Sequence, residues 1–253
     1  MRRKKINRRK VFICVCAGII CAGIIAAAVF GGTGEENDSW LAEGRKRLQM
    51  LSEQTVPEVE KKIRDRDKQE EQDKIAWENR TPNEKMANAV LLGDSRAEGF
   101  AEYGILDQSR VLAEIGISLE ETDPYIEQAI GLNPEKVFLS YGLNDLGMSG
   151  GDAGKFQEKY RNIIEKLKEA LPESGIYVTT ILPVQQKALE KDPILNYIGE
   201  FNEAIRTMCR EEQVICIELG DLVSDELYET DGEHFTLEFY PLWFDRMAEI
   251  AEL

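Results

Sequence analysis

The chain has 253 residues with 31 Lys and Arg against 47 Asp and Glu, so its formal net charge at pH 7 is −16. Seven of the basic residues lie within residues 1–10, and 24 remain against all 47 acidic residues beyond them. Because nucleic acids are bound through neutralisation of phosphates by Lys and Arg, this balance argues against a nucleic-acid partner. It is typical of an acidic surface that keeps a domain soluble.

The N-terminal segment has the pattern of a membrane anchor. Residues 11–30 carry no charge, and a helix needs about 20 apolar residues to cross a bilayer. Basic residues before such a span predict a cytoplasmic N-terminus (residues 1–10) and export of everything that follows. A cleaved signal peptide, with Ala26–Ala28 as its cleavage site, is the alternative. We expect an uncleaved single-pass anchor with the remaining chain outside a bacterial cell.

Residues 31–85 have the composition of a charged spacer. Gly31–Gly34 is a flexible break, and from Glu58 to Glu78 opposite charges are interleaved among good helix formers. This pattern predicts a solvated helical stalk. The apolar residues of the segment are too irregularly spaced for a coiled coil. We therefore expect a stalk that separates the anchor from a domain of residues 86–253.

In residues 86–253, short apolar runs alternate with amphipathic segments. This pattern predicts an α/β fold, a three-layer α/β/α sandwich with a parallel sheet of about five strands. The predicted strands are Ala89–Leu92, Val111–Ile115, Lys136–Tyr141, Ile176–Ile181 and Val214–Glu218. The predicted helices are Leu119–Ile130, Ala153–Leu171, Tyr197–Glu211 and Leu237–Ala251.

The residues suited to chemistry follow these strands. In open parallel sheets, sites form beyond the carboxyl ends of the strands. The relevant segments are Gly93-Asp94-Ser95 after the first strand, Gly116 after the second, Gly142-Leu143-Asn144-Asp145 after the third, and Asp231–His234 before the last helix. A serine nucleophile needs a neighbouring base, most often a histidine. His234 is the only histidine, so a serine mechanism has a single candidate base.

In order and spacing, these segments resemble the four blocks of the SGNH hydrolases, also called the GDSL esterase/lipase family. The resemblance covers residues 88 to about 250, and nothing in residues 1–85 matches. It implies that Ser95 is the nucleophile and that His234 is the base, oriented by Asp231. It also implies an oxyanion hole formed by the N–H groups of Ser95 and Gly116 and the amide of Asn144.

Physical chemistry agrees with these roles, since each preorganised donor aimed at an oxyanion contributes about 3–4 kcal/mol. Arg96 stands where the family name has Leu, a variation expected to touch no catalytic role. The alternatives are that Ser95 caps a helix, that Asn144-Asp145 forms a turn and that His234 is a surface residue. Gly-x-Ser-x-Gly is absent, which disfavours the α/β-hydrolases. Asp94 and Asp145 are expected to brace their loops.

Two further expectations concern cofactors and cysteines. No cluster of His, Cys and carboxylates has the spacing of zinc ligands, so we expect neither a metal nor another cofactor. Cys209 and Cys216 lie outside the predicted span. They form either a disulfide, which an exported protein permits, or two separate buried thiols.

The resemblance and the predicted location together imply a membrane-anchored extracellular serine ester hydrolase. It is expected to remove short acyl groups, acetyl in the first place, from glycans or related esters through an acyl-enzyme. Its expected partners are this small ester or acylated glycan and the membrane. One alternative is a glycan O-acyltransferase with the same triad. Another is a non-catalytic cell-surface binding module, against which the complete triad argues.

Overall fold

The computed structural model describes residues 34–52 and 56–253 of the chain. The chain divides into two compact units, with the boundary between Ile75 and Ala76. The predicted basic segment and anchor, residues 1–30, lie outside the described residues. Within the described part, none of the helices has the length and apolar character needed to cross a membrane.

The charged segment is helical, as its composition predicts. It forms helices α1 (Gly34–Ser52) and α2 (Val56–Glu78). On α2, Arg66 pairs with Glu70 at 3.3 Å, one turn away. Such exposed pairs stabilise a helix by only about 0.3–0.5 kcal/mol each.

The second unit is built on a five-stranded parallel sheet, which confirms the predicted fold class. Its strands are β1 (Ala89–Gly93), β2 (Val111–Ala113), β3 (Lys136–Ser140), β4 (Gly175–Thr179) and β5 (Ile215–Ile217). They lie in the order β2-β1-β3-β4-β5, and every neighbouring pair is parallel. β2 is shorter than predicted because Ile115 is 75% exposed and Gly116 turns the chain with a φ of +77°.

Helices cover both faces of this sheet. They are α3 (Pro82–Lys85), α4 (Ser95–Glu102), α5 (Asp123–Leu132), α6 (Leu143–Met148), α7 (Ala153–Ala170), α8 (Gln186–Lys191), α9 (Ile198–Glu212) and α10 (Phe239–Ala251). Alternate strand residues point to opposite faces. Val90 and Leu92 of β1 share one hydrophobic cluster with α5, α7 and α9, whereas Leu91 shares another with α4 and α10. The unit is therefore a three-layer sandwich.

Two predictions about helices need correction. The helix predicted for Leu119–Ile130 is broken into a 3-10 turn, Leu119–Glu121, and the later helix α5. Pro124 explains the break, since proline lacks an N–H and fits only the first turn of a helix. Helices α3, α4, α6 and α8 were not predicted, because their four to eight residues are too few to show a helical apolar period.

Cys209 and Cys216 are both free thiols, so the alternative without a disulfide is the one observed. Cys209 is buried in α9, and Cys216 is half-buried in β5.

Candidate active site

The order of the strands places Ser95 and Asn144 on the two sides of one crevice. The next strand along the chain, β2, lies beside β1 on one side, and β3 lies beside β1 on the other side. Such a switch point opens a crevice beyond the carboxyl ends of β1 and β3. Ser95 is the first residue of α4, directly after β1, and Asn144 lies in the first turn of α6, directly after β3.

The turn before Ser95 is tightly packed. Gly93 has no room for a side chain, because a Cβ there would lie 2.7 Å from Ser140 O on β3. The buried Asp94 carboxylate caps α4 by accepting the Arg96 N–H at 3.0 Å. Burial raises the pKa of Asp94, and the charge of Arg96 opposes this rise. Ser95 thus begins the helix, where a backbone N–H has no acceptor within the helix and can bind a ligand.

Ser95, His234 and Asp231 form a continuous chain of hydrogen bonds. Ser95 Oγ lies 3.0 Å from His234 Nε2, and His234 Nδ1 lies 2.7 Å from Asp231 Oδ2. When Nδ1 carries the imidazole proton and donates a hydrogen bond to the carboxylate, Nε2 is unprotonated and can accept the serine proton. The structure therefore brings together the three residues predicted as a triad, although 139 positions separate Ser95 from His234.

The Asp231 carboxylate is held in its ionised state. Partial burial on its own would raise its pKa, but hydrogen bonds from the N–H groups of Glu233 and His234 and from the imidazole lower the pKa to about 2. Those N–H groups donate to Oδ1 at 2.8 and 3.0 Å. An ionised carboxylate at Nδ1 stabilises the imidazolium that forms when the histidine takes a proton.

Hydrogen bonds also fix the loop that carries Asp231 and His234. Glu229 N–H donates to His234 O at 2.8 Å, and Gln185 N–H donates to Gly232 O at 2.9 Å. Gly232 has a φ of +79°, a conformation that L side chains rarely adopt. The loop is thus anchored both on itself and on the segment after β4.

Asn144 and Asp145 connect α6 to the loop after β2. Asn144 Nδ2 donates to Ile117 O at 2.9 Å, which uses one of the two hydrogens of its amide. Asp145 is buried, and its Oδ1 accepts the Leu119 N–H at 2.9 Å. Burial raises the pKa of Asp145 to about 6, against the opposing hydrogen bond from Leu119. Asp94 and Asp145 therefore brace their loops, as expected.

The third predicted oxyanion donor, Gly116, lies in the loop that Asn144 and Asp145 hold. Gly116 is exposed, and a Cβ added to it would meet no atom within 4 Å. Its N–H is therefore on an accessible part of the backbone, beyond the end of β2. In residues 34–52 and 56–253, no group of three or more His, Cys, Asp and Glu side chains could hold a metal ion.

Arg96 belongs to this site in a way that the sequence analysis did not anticipate. Its side chain is buried, donates from Nη1 to Leu182 O at 2.8 Å and lies over the ring of Phe235. No distinct signal for this role exists in the sequence, because α4 also contains Glu98 and Glu102.

Comparison with known proteins agrees with this geometry. The sequence model of the GDSL-like lipase/acylhydrolase family matches residues 91–241. None of the curated proteins matches the chain. A GDSL-like lipase from Bacteroides thetaiotaomicron has 17% identity and a TM-score of 0.53, covering 68% of this chain and 91% of its own.

Two further solved structures share the fold. A lipase/acylhydrolase from Enterococcus faecalis has 16% identity and a TM-score of 0.52, with 64% of this chain and 94% of that chain covered. A carbohydrate esterase family 3 protein from Talaromyces cellulolyticus has 16% identity and a TM-score of 0.51, with 64% and 95% covered. Since the family model spans more than half of the chain, the protein belongs to the GDSL-like lipase/acylhydrolase family of serine esterases.

Proposed function

We propose that the protein is a cell-surface esterase, held to the membrane by its N-terminal segment, that removes short acyl groups from glycans or related esters. Acetyl is the acyl group that we expect. The observation that carries the esterase chemistry is the hydrogen-bond chain from Ser95 Oγ through His234 to Asp231, at 3.0 and 2.7 Å.

The geometry supports a two-step mechanism. In the first step, Ser95 Oγ attacks the ester carbonyl carbon while His234 Nε2 takes the hydroxyl proton. The tetrahedral oxyanion is stabilised by the Ser95 N–H, the Gly116 N–H and the Asn144 amide. When the intermediate collapses, the imidazolium gives its proton to the leaving alcohol and an acyl-serine remains. In the second step, His234 takes a proton from water, and the water oxygen attacks the carbonyl carbon of the acyl-serine. When this intermediate collapses, the imidazolium returns the proton to Ser95 Oγ and the carboxylic acid leaves.

Two features support a large alcohol such as a glycan. The side chains of His234 and Asp231 remain 38% and 36% exposed, so an ester on a bulky glycan can reach them. The carbohydrate esterase that shares this fold makes glycan esters a reasonable first class to test.

The location rests on the sequence. Seven basic residues precede the uncharged run of residues 11–30, which favours export of the chain beyond it. In intact cells, added protease should cleave within the charged segment and release the esterase unit. Esterase protected from protease until the cells are lysed would contradict this location.

The substrate proposal is tested with the full-length purified protein. We expect hydrolysis of nitrophenyl acetate to exceed that of butyrate, with octanoate the poorest, and acetate release from acetylated xylan or acetylated peptidoglycan. Ser95→Ala is the matched control. A preference for octanoate would indicate a lipase, and acetyl groups that appear on an added glycan acceptor would indicate a transferase.

A further inference from the structure

The arginine that follows the nucleophile is placed to act on the catalytic geometry. We propose that Arg96 is a positioning residue whose guanidinium holds the nucleophile turn against the histidine loop, so that Ser95 Oγ stays within reach of His234 Nε2. This inference rests on the serine mechanism but not on the identity of the ester.

The contacts of Arg96 connect three parts of the site. Its Nη1 donates to Leu182 O at 2.8 Å, in the segment after β4. The carbon of its guanidinium lies 5.5 Å from the centre of the Phe235 ring, within the range of a cation–π interaction. Arg96 follows Ser95 directly, and Phe235 follows His234 directly. One side chain therefore spans the two backbone segments whose separation sets the distance from nucleophile to base.

The surrounding structure limits the movement of each segment. Tyr240 on α10 donates its hydroxyl proton to Arg96 O at 3.1 Å, which holds the backbone of α4. Tyr228 and Phe235 form an isolated antiparallel bridge at the base of the histidine loop. Each segment is thus braced on its own side, and the contact of Arg96 with Phe235 joins the two.

Stability alone does not account for a guanidinium here. Arg96 is 3% exposed, and its Nε and Nη2 atoms are buried without a hydrogen-bond partner in the described part of the chain. Burial lowers the pKa of this guanidinium, and the charges of Asp94 and Glu233 oppose the effect. Unpaired buried donors destabilise a fold. A side chain that only balanced the charge of Asp94 would not need the two unpaired donors of this guanidinium.

The guanidinium has little room in which to take another position. Arg96, Asp94 and Tyr141 line a cavity of about 10 Å³, which is about the volume that one water molecule needs. The Tyr141 hydroxyl is likewise buried without a partner in the described residues. The contacts to Leu182 and Phe235 thus define a single position for the side chain.

The test compares Arg96→Met, which keeps an unbranched apolar stem without charge or donors, with Arg96→Lys, which keeps the charge. Full-length proteins are assayed for thermal stability, for kcat and KM on nitrophenyl acetate, and for the rate of Ser95 labelling by a fluorophosphonate. Labelling reports nucleophile activation without any assumption about the natural ester. Arg161→Met is the matched control, since Arg161 pairs at 3.1 Å with Glu212 on the distant α7–α9 surface.

We expect kcat and the labelling rate of folded Arg96→Met to fall about 10²-fold, as a displacement of about 1 Å would cause. Its melting temperature should fall as well, because the buried Asp94 loses the opposing charge and Leu182 O loses its donor. KM should change little, because the substrate contacts remain. Arg96→Lys should recover part of kcat, and Arg161→Met should leave kcat unchanged. A folded Arg96→Met protein with wild-type kcat would overturn the proposal, as would losses that only follow the unfolded fraction. A wild-type protein that no fluorophosphonate labels would overturn it too, whereas labelling without glycan deacetylation would count only against the proposed substrate.

Discussion

The Asp231 carboxylate contacts His234 twice, with Oδ2 at 2.7 Å from the imidazole Nδ1 and Oδ1 at 3.0 Å from the backbone nitrogen of the same residue. One side chain thus sets both the position of the histidine backbone and the orientation of its ring. The roles of the two oxygens can be separated by substitution, because only Oδ2 must accept the proton on Nδ1.

Asp231→Asn is expected to reduce kcat by about 10⁴-fold with little change in KM. The amide can still accept the backbone N–H groups, but its NH₂ cannot accept the Nδ1 proton, so the wrong ring tautomer is favoured. Steady-state kinetics on nitrophenyl acetate measure the effect. An Asn variant with wild-type turnover would show that Asp231 does not orient the base.

The lowered pKa of Asp231 predicts how the stability of the protein depends on pH. Its pKa of about 2 lies below the ordinary value of 3.8, so Asp231 contributes stability above pH 4 that is lost as the pH falls toward 2. Asp231 therefore stays ionised above about pH 4. We expect the stability difference between the wild type and Asp231→Asn to change as the pH falls from 4 toward 2, because Asn has no charge to lose. Melting temperatures across this range measure the effect, and a difference that is independent of pH would contradict the prediction.

Ser95→Ala and His234→Ala are each expected to lower kcat by about 10⁵–10⁶-fold while the melting temperature stays near that of the wild type. Because the two residues act as one unit, the double variant should be no worse than either single variant. The chain has no other histidine, so no second residue of this type can replace the base. Multiplicative losses in the double variant would show that the residues act independently.

Asn144→Ala should lower kcat by about 10²–10³-fold, since it removes one donor to the oxyanion. Asn144→Asp is the matched control, because it keeps the shape of the side chain but its carboxylate cannot donate to the oxyanion. Both variants also lose the hydrogen bond to Ile117 O. We expect Asp to be at least as damaging as Ala; an active Asp variant would show that donation by Asn144 is not required.

Asp145→Asn should stabilise the protein at alkaline pH and not at acid pH. Its folded pKa of about 6 lies above the ordinary 3.8, so the folded state binds the proton more tightly. The ionised form of Asp145 therefore destabilises the fold increasingly as the pH rises from 4 through 6, by up to about 3 kcal/mol. Asn keeps an oxygen for the Leu119 N–H without the charge. Melting temperatures at pH 4.5 and 8 test this, and a pH-independent difference would contradict it.

Two glycines in helices should respond oppositely to the same substitution. At Gly99 in α4, an added Cβ would overlap the Tyr240 ring, including its Cε1 at 2.8 Å, so Gly99→Ala should destabilise the protein by about 1–3 kcal/mol or more. At the exposed Gly131 in α5, a Cβ meets nothing within 4 Å. Gly131→Ala should therefore stabilise by about 0.5–1 kcal/mol. Denaturant titration of both variants measures the contrast; equal signs would be inconsistent with the packing of α10 on α4.

Much of the fold could be predicted because its signals are local. The apolar runs at Lys136–Tyr141 and Ile176–Ile181 indicate buried strands, and the period of Ala153–Leu171 indicates a helix. Their observed counterparts differ at the ends by one or two residues. Helix α4 was missed because a short helix at a functional turn is fixed by its cap and by packing, not by periodicity.

The amino-acid sequence by itself determined which residues could perform the chemistry, since a single histidine and a few polar residues after apolar strands leave few candidates. Only the tertiary structure decided how they meet. Ser95 and His234 are 139 positions apart, and no local propensity specifies a hydrogen bond over that distance. The strand order that puts β1 beside β3 brings the ends of those strands together. The burial of Arg96 is likewise decided by packing, because the sequence around it gives no sign that its guanidinium contacts Leu182 and Phe235.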